Sequence, residues 1–247
     1  MTADWILDQL SLLSPGFWLA LSVVTLPLTY VLGRRVGARL KPWIGVLRWT
    51  LIPFAALLSG GLSTRFAGLT KINWAATLNL GVIIFMLTAA VGIAIRIMRM
   101  TSEEPRMPPP QQESRLSARR WAYGPLSILW LGAEQLHWCF VRGAIWEMLV
   151  TWPTGPVESS AYRTLWLSTL LLLPEIWLQP ISFQQRLLKA SLLLVTAVTF
   201  FYTLNFWLCW AISATLWLLI AGPLPAAPGH SNADSMQQAP ALKTERG

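Results

Sequence analysis

The sequence predicts an all-helical, polytopic transmembrane bundle of about seven spans. Three properties of the composition lead to this prediction: 54% of the 247 residues are hydrophobic, only 12% are charged, and the mean hydropathy is +0.50. Soluble domains carry about twice that charged fraction. Several stretches of roughly 17 to 22 residues are almost free of charge, long enough to cross a hydrocarbon core of about 30 Å as helices.

Seven apolar stretches define the predicted spans, at residues 15–33, 43–61, 74–95, 121–150, 161–177, 187–202 and 206–222. The last two form one apolar run of roughly 36 residues, which as a single helix of about 54 Å would exceed one crossing. We therefore predict a tight hairpin at Thr203, Leu204 and Asn205, with Asn205 accessible at the outer aqueous face. Residues 1–222 form one bundle, in which residues 101–120 are a mobile cytoplasmic loop, and residues 223–247 form a flexible cytoplasmic tail.

Basic residues set the predicted orientation. They concentrate beside the first, third and fifth connections: Arg34, Arg35, Arg39, Lys41, Arg48, Arg96, Arg99, Arg106, Arg115, Arg119, Arg120, Arg186 and Lys189. The intervening connections hold only Arg65, Lys71 and Arg163. The positive-inside rule therefore predicts a multi-pass protein of the cytoplasmic membrane with its N-terminus outside and its C-terminus inside.

Charge and cysteine content exclude several functional classes. The net charge is +8, and the basic residues that produce it lie beside apolar stretches rather than along one soluble face. They therefore indicate membrane topology and not nucleic-acid binding. Cys139 and Cys209 fall inside apolar stretches, typical of buried thiols rather than a disulfide. His137 and His230 are the only histidines, which argues against a zinc site with three protein ligands. The sequence does not identify a cofactor, and the expected partner is the lipid bilayer.

Ionisable residues inside predicted spans are the candidate site, because charge in a bilayer is unfavourable and is retained mainly for function. Glu134 and His137 are three residues apart on one face of the fourth span, where we expect a hydrogen-bonded pair near the midplane. Arg142 lies two turns further outward, where it can snorkel to the outer boundary. Glu175 follows Pro174, which removes a backbone donor and kinks the fifth span. Glu134, His137, Arg142 and Glu175 form the predicted polar pocket.

These residues resemble a known family. Glu134-Gln135 and Arg142-Gly143, followed by Thr-Leu-Asn-Phe-Trp at 203–207, resemble the motifs of the CAAX-protease and bacteriocin-processing (CPBP, or Abi) membrane proteins. The resemblance covers about the C-terminal half, residues 121–222. It implies a glutamate that activates water and histidines that position the water and stabilise an oxyanion.

The chain departs from the family pattern at the catalytic positions. Gln135 stands for the second glutamate, Arg142 comes about one turn late, Glu175 lies near the place of one family histidine, and Ser213 occupies that of the last. Glu134, Arg142, Glu175 and Ser213 are therefore vestigial candidates for catalysis. The resemblance implies a divergent, catalytically silent protein whose polar pocket serves binding or assembly, although residual intramembrane proteolysis stays open.

Three other functions remain open at this stage. The abundance of tryptophan and the small soluble segments suit an accessory or structural subunit of a larger membrane complex, with other membrane subunits as partners. Intramembrane glutamates and a proline-broken helix suit a transporter, although the sequence lacks an internal repeat. In a pigment- or haem-binding subunit, His137 would be the axial ligand, with Trp138 beside it.

Overall fold

The computed structural model describes residue 11, residues 13–36, 41–102, 125–152, 160–179, residue 181 and residues 183–221. All regular structure within these ranges is helical, as predicted. The predicted loop beyond residue 102 and the predicted tail at 223–247 lie outside the described residues. The helix before the predicted loop continues to Ser102, so Thr101 and Ser102 are helical.

Seven helices of four turns or more run through the described residues. They are α1 (Pro15–Arg35), α2 (Lys41–Leu58), α3 (Val82–Ser102), α4 (Pro125–Val150), α5 (Ser160–Leu178), α6 (Phe183–Thr203) and α7 (Phe206–Ala221). A short helical turn, Trp74–Ala76, and a π-helical turn, Thr77–Gly81, lead directly into α3. Each helix coincides with one predicted span.

Three of these segments are long and apolar enough to cross a membrane by length and composition. They are Pro15–Leu32, Trp74–Met98 and Gln185–Thr203. Trp43–Leu58 and Phe206–Ile220 are apolar but shorter. Together these segments identify the chain as a candidate membrane protein.

Helix α4 is the central helix of the bundle. From Leu131 to Ile145 every residue except the half-buried Gly132 is buried, and α1, α2, α5 and α7 pack around it. A helix that is buried on all sides needs no polar face for solvent. The polar side chains of α4 therefore have to find their partners inside the protein.

The hairpin divides the last apolar run, as predicted, but its polar residue is not accessible. The helix break falls at Leu204 and Asn205, and Leu204 has a positive φ of 48°. Asn205 is only 2% exposed. Its Oδ1 accepts from the Leu208 N–H at the start of α7, and its Nδ2 donates to Thr77. The predicted exposure is wrong because these bonds turn the side chain into the bundle.

The connection between α2 and α3, residues 59–73, folds onto the same end of the bundle, which we call the hairpin end. Leu62 and Ala67 are buried, and the Gly68 carbonyl accepts from the Phe206 N–H at 3.0 Å. Gly68 has a φ of +73°, and a Cβ there would lie 2.8 Å from the Phe200 ring. A glycine is therefore required at this position by both conformation and space.

Candidate functional site

Glu175 on α5 is the centre of the first polar cluster. Its Oε1 accepts from Arg48 Nη1 at 2.6 Å and from the Trp49 indole N–H. Its Oε2 lies 3.3 Å from Arg48 Nη2 and 3.0 Å from His137 Nε2. Arg48 Nη2 also donates to the Ser22 carbonyl at 3.2 Å. One carboxylate thus joins α2, α4 and α5, and Arg48 extends the connection to α1.

The hydrogen bonding of Glu175 is complete. A carboxylate offers about four lone-pair positions, and the Arg48, Trp49 and His137 side chains supply four contacts, two at each oxygen. The guanidinium approaches in the two-pronged geometry that is strongest for carboxylates. A general base needs a free lone pair directed at the proton that it removes. Glu175 is therefore arranged as an ion-pair partner.

Glu134 belongs to a second cluster and not to a pair with His137. Its Oε1 accepts from Lys189 Nζ at 2.6 Å and from Gln179 Nε2 at 3.3 Å. Lys189 also donates to Gln179 Oε1 at 2.9 Å, and its side chain is 12% exposed. The predicted Glu134–His137 pair is wrong. Lys189 on α6 provides a full positive charge beside Glu134. His137 Nε2 instead contacts the carboxylate of Glu175 on α5.

Arg142 forms a third cluster, deep in the bundle. Its side chain is 0% exposed, so the predicted snorkelling to a boundary is wrong. Nη2 donates to the Leu193 carbonyl at 2.8 Å and to Thr196 Oγ1 at 3.0 Å, which holds the guanidinium against the middle of α6. Its central carbon lies 6.0 Å from the ring centres of both Trp138 and Phe200. Nε and Nη1 have no hydrogen-bond partner among the described residues.

Ser213 joins none of the three carboxylate or arginine clusters. It is fully buried in α7, and its hydroxyl donates to the Cys209 carbonyl of its own helix at 2.9 Å. Such back-bonding satisfies a helical serine without a neighbour. The four residues of the predicted pocket are therefore divided: His137 and Glu175 lie together, whereas Glu134 and Arg142 each have separate partners.

Sequence reasoning missed Arg48, Trp49 and Lys189 as partners of these clusters. Arg48 and Lys189 were assigned to the basic flanks that set orientation, yet both lie inside helices that coincide with predicted spans. The signal that could have found them is the rule that an ionisable residue within an apolar helix needs an internal partner. Trp49 carries no such signal, because tryptophan is common in any apolar helix.

The described residues contain no group of three or more His, Cys, Asp and Glu side chains that could hold a metal ion. His137 Nε2 is engaged by Glu175, and the ring stacks on Phe140 with centroids 6.4 Å apart. The thiols of Cys139 and Cys209 are free and buried, as predicted. No protein-family model, curated protein or solved structure matches this chain.

Proposed function

We propose that this chain is a catalytically silent, CPBP-like multi-pass membrane protein whose buried polar clusters hold the bundle together and serve assembly. The observation that carries the proposal is the saturation of Glu175 by Arg48, Trp49 and His137. A carboxylate with every acceptor position filled and a guanidinium at 2.6 Å stabilises a helix contact and leaves no position for a nucleophilic water.

Glu134 supports the same conclusion. In the resembled family this position activates the water, but here Lys189 and Gln179 hold one oxygen of the carboxylate. His137, the nearest histidine in sequence, is engaged by Glu175 instead. A water beside Glu134 would therefore lack the histidine that positions it in the resembled family.

The topology within the proposal is seven spans with the N-terminus outside and the loop at residues 101–120 in the cytoplasm. Its support is the coincidence of seven helices with seven apolar stretches and the basic residues at alternate connections. Single cysteines introduced by Ser114→Cys and Ser159→Cys should react with a membrane-impermeant maleimide from opposite sides. The parent chain is the control, because its own cysteines are buried. Labelling of both positions from one side would refute the seven-span topology.

The activity test compares three variants of the full chain purified in mild detergent: Glu134→Gln, Glu175→Gln and Glu147→Gln. Glu147 is the matched control, since its carboxylate accepts a hydrogen bond from the Ser63 backbone N–H and lies outside the three clusters. We expect no peptide cleavage by any protein, and lowered thermal stability for the first two variants alone. Peptide cleavage by the parent that is lost in a folded Glu134→Gln variant would show that the protein is an enzyme and would refute the proposal.

Co-purification of partner subunits tests the assembly role. Mass measurement of the parent extracted in mild detergent should detect a stoichiometric membrane partner. Glu175→Gln should reduce its recovery more than Glu147→Gln does. A parent that purifies alone, with a mass equal to one chain plus detergent, would reject assembly with other subunits as the function.

A further inference from the structure

The third cluster contains both cysteines of the chain as well as Arg142. Cys139 precedes Arg142 by one turn on α4, and Cys209 lies on α7. Both thiols are 0% exposed and pack in one apolar cluster with Leu136, Phe200 and Phe206. Thr196 ties the group together, because its carbonyl accepts from Cys209 and its hydroxyl from Arg142.

Arg142 brings an uncompensated positive charge to this dithiol. Its described hydrogen-bond partners, a carbonyl and a hydroxyl, are neutral, and none of the described ion pairs includes it. Its Nε and Nη1 are buried with no partner. A guanidinium stays protonated in proteins, so the charge cannot be removed by losing a proton. Burial of such a charge is costly unless a counter-charge lies nearby.

We propose that Cys139 and Cys209 bind one Cu(I) ion as a two-coordinate dithiolate, and that Arg142 is the positive residue that balances it. As the ion binds, two thiol protons leave and one positive charge enters, so the ligand and metal together carry a charge of −1. Arg142 neutralises that charge and gains the anionic neighbour that it otherwise lacks. Soft thiolates select Cu(I), and two of them satisfy its preference for low coordination. Zn²⁺ needs about four ligands and finds no such group among the described residues.

Metal content and thiol count test this site. The full chain is expressed with added copper, purified anaerobically, and compared with Cys139→Ser and Cys209→Ser. We expect one copper per chain in the parent and none in either serine variant. Because the chain has only two cysteines, loading with Cu(I) should remove both thiols from reaction with a thiol reagent after unfolding. X-ray absorption should show a metal bound by two sulphur atoms.

The contribution of Arg142 is tested by competition for Cu(I) against a chromogenic chelator. Arg142→Gln keeps both thiols and should lower the affinity for Cu(I) by about tenfold or more, since it removes a buried compensating charge. Arg142→Lys keeps the charge and should retain affinity within about threefold. Copper retained by both serine variants, or a reduced parent that takes up no copper, would overturn the site. So would equal affinities of the parent and a folded Arg142→Gln.

Discussion

Arg48 and Arg142 are both buried guanidinium groups in the same bundle, but only Arg48 faces a carboxylate. Arg48 donates two hydrogen bonds to the Glu175 carboxylate, from Nη1 to Oε1 at 2.6 Å and from Nη2 to Oε2 at 3.3 Å. Among the described residues, Arg142 donates to Leu193 and Thr196, neither of which carries a charge. Replacing each arginine by the same residue should therefore lower the free energy of unfolding at Arg48 but not at Arg142.

Arg48→Met should strongly destabilise the fold, because it leaves Glu175 buried without its counter-charge. Breaking a buried ion pair from one side costs about 3 to 5 kcal/mol. Thermal or denaturant unfolding in detergent measures this loss. The double variant Arg48→Met with Glu175→Leu is the control and should recover most of the stability, because no charge is left unpaired. Two single losses that simply add in the double variant would show that the pair is not coupled.

Arg142→Met in the metal-free protein should be neutral or should raise the free energy of unfolding. The substitution removes a buried charge and two unpartnered nitrogen atoms, and methionine fills much of the same volume. Replacement of buried ionic groups by apolar ones is often neutral or stabilising by about 1 to 4 kcal/mol. Unfolding of copper-free parent and variant, with Arg48→Met measured alongside, gives the comparison. A loss as large as that of Arg48→Met would contradict the assigned environment of Arg142.

Glu134 and Lys189 should be coupled to each other, and Glu134 should not be coupled to His137. Glu134→Gln deprives Lys189 of its counter-charge, whereas the His137 contact to Glu175 is unaffected. We expect each single substitution, Glu134→Gln or Lys189→Met, to cost about 1 to 3 kcal/mol, since a charged hydrogen bond is lost in a mostly buried site. A double-mutant cycle on Glu134 and Lys189 measures the coupling. The same cycle on Glu134 and His137 should give a value near zero.

Gly143→Ala should destabilise the hairpin end. A Cβ at Gly143 would lie 2.8 Å from the carbonyl carbon of Phe66, so the 59–73 connection would have to move. Overpacking of this kind costs about 1 to 3 kcal/mol. Gly45→Ala on α2 is the matched helical control, because the nearest atom to its Cβ is a Trp49 ring carbon at 3.9 Å. Limited proteolysis within residues 59–73 should accelerate for Gly143→Ala alone.

The helices could be predicted from the sequence, but the pairing of polar side chains could not. Apolar length alone located the seven helices and required the break at Leu204, because a longer helix could not fit one crossing. Helical spacing put Glu134 and His137 on one face of α4 but did not identify the partner of either residue. It could not reveal that Lys189 reaches Glu134 across 55 positions, since that contact depends on how α4 and α6 pack. The burial of Asn205 likewise depends on Thr77, 128 positions away.

The surroundings of α4 have a consequence for how the protein is made. When α4 leaves the ribosome, α5 and α6, which carry Glu175, Lys189 and the Leu193 carbonyl, have not yet been synthesised. Each charged side chain at the centre of a helix disfavours its insertion into lipid by about 2.5 to 3.5 kcal/mol. In the proposed seven-span topology, α4 carries both Glu134 and Arg142 and should therefore wait at the translocon until α5 and α6 emerge. The central helix would then enter the bilayer as part of a group, although it is not the last to be translated.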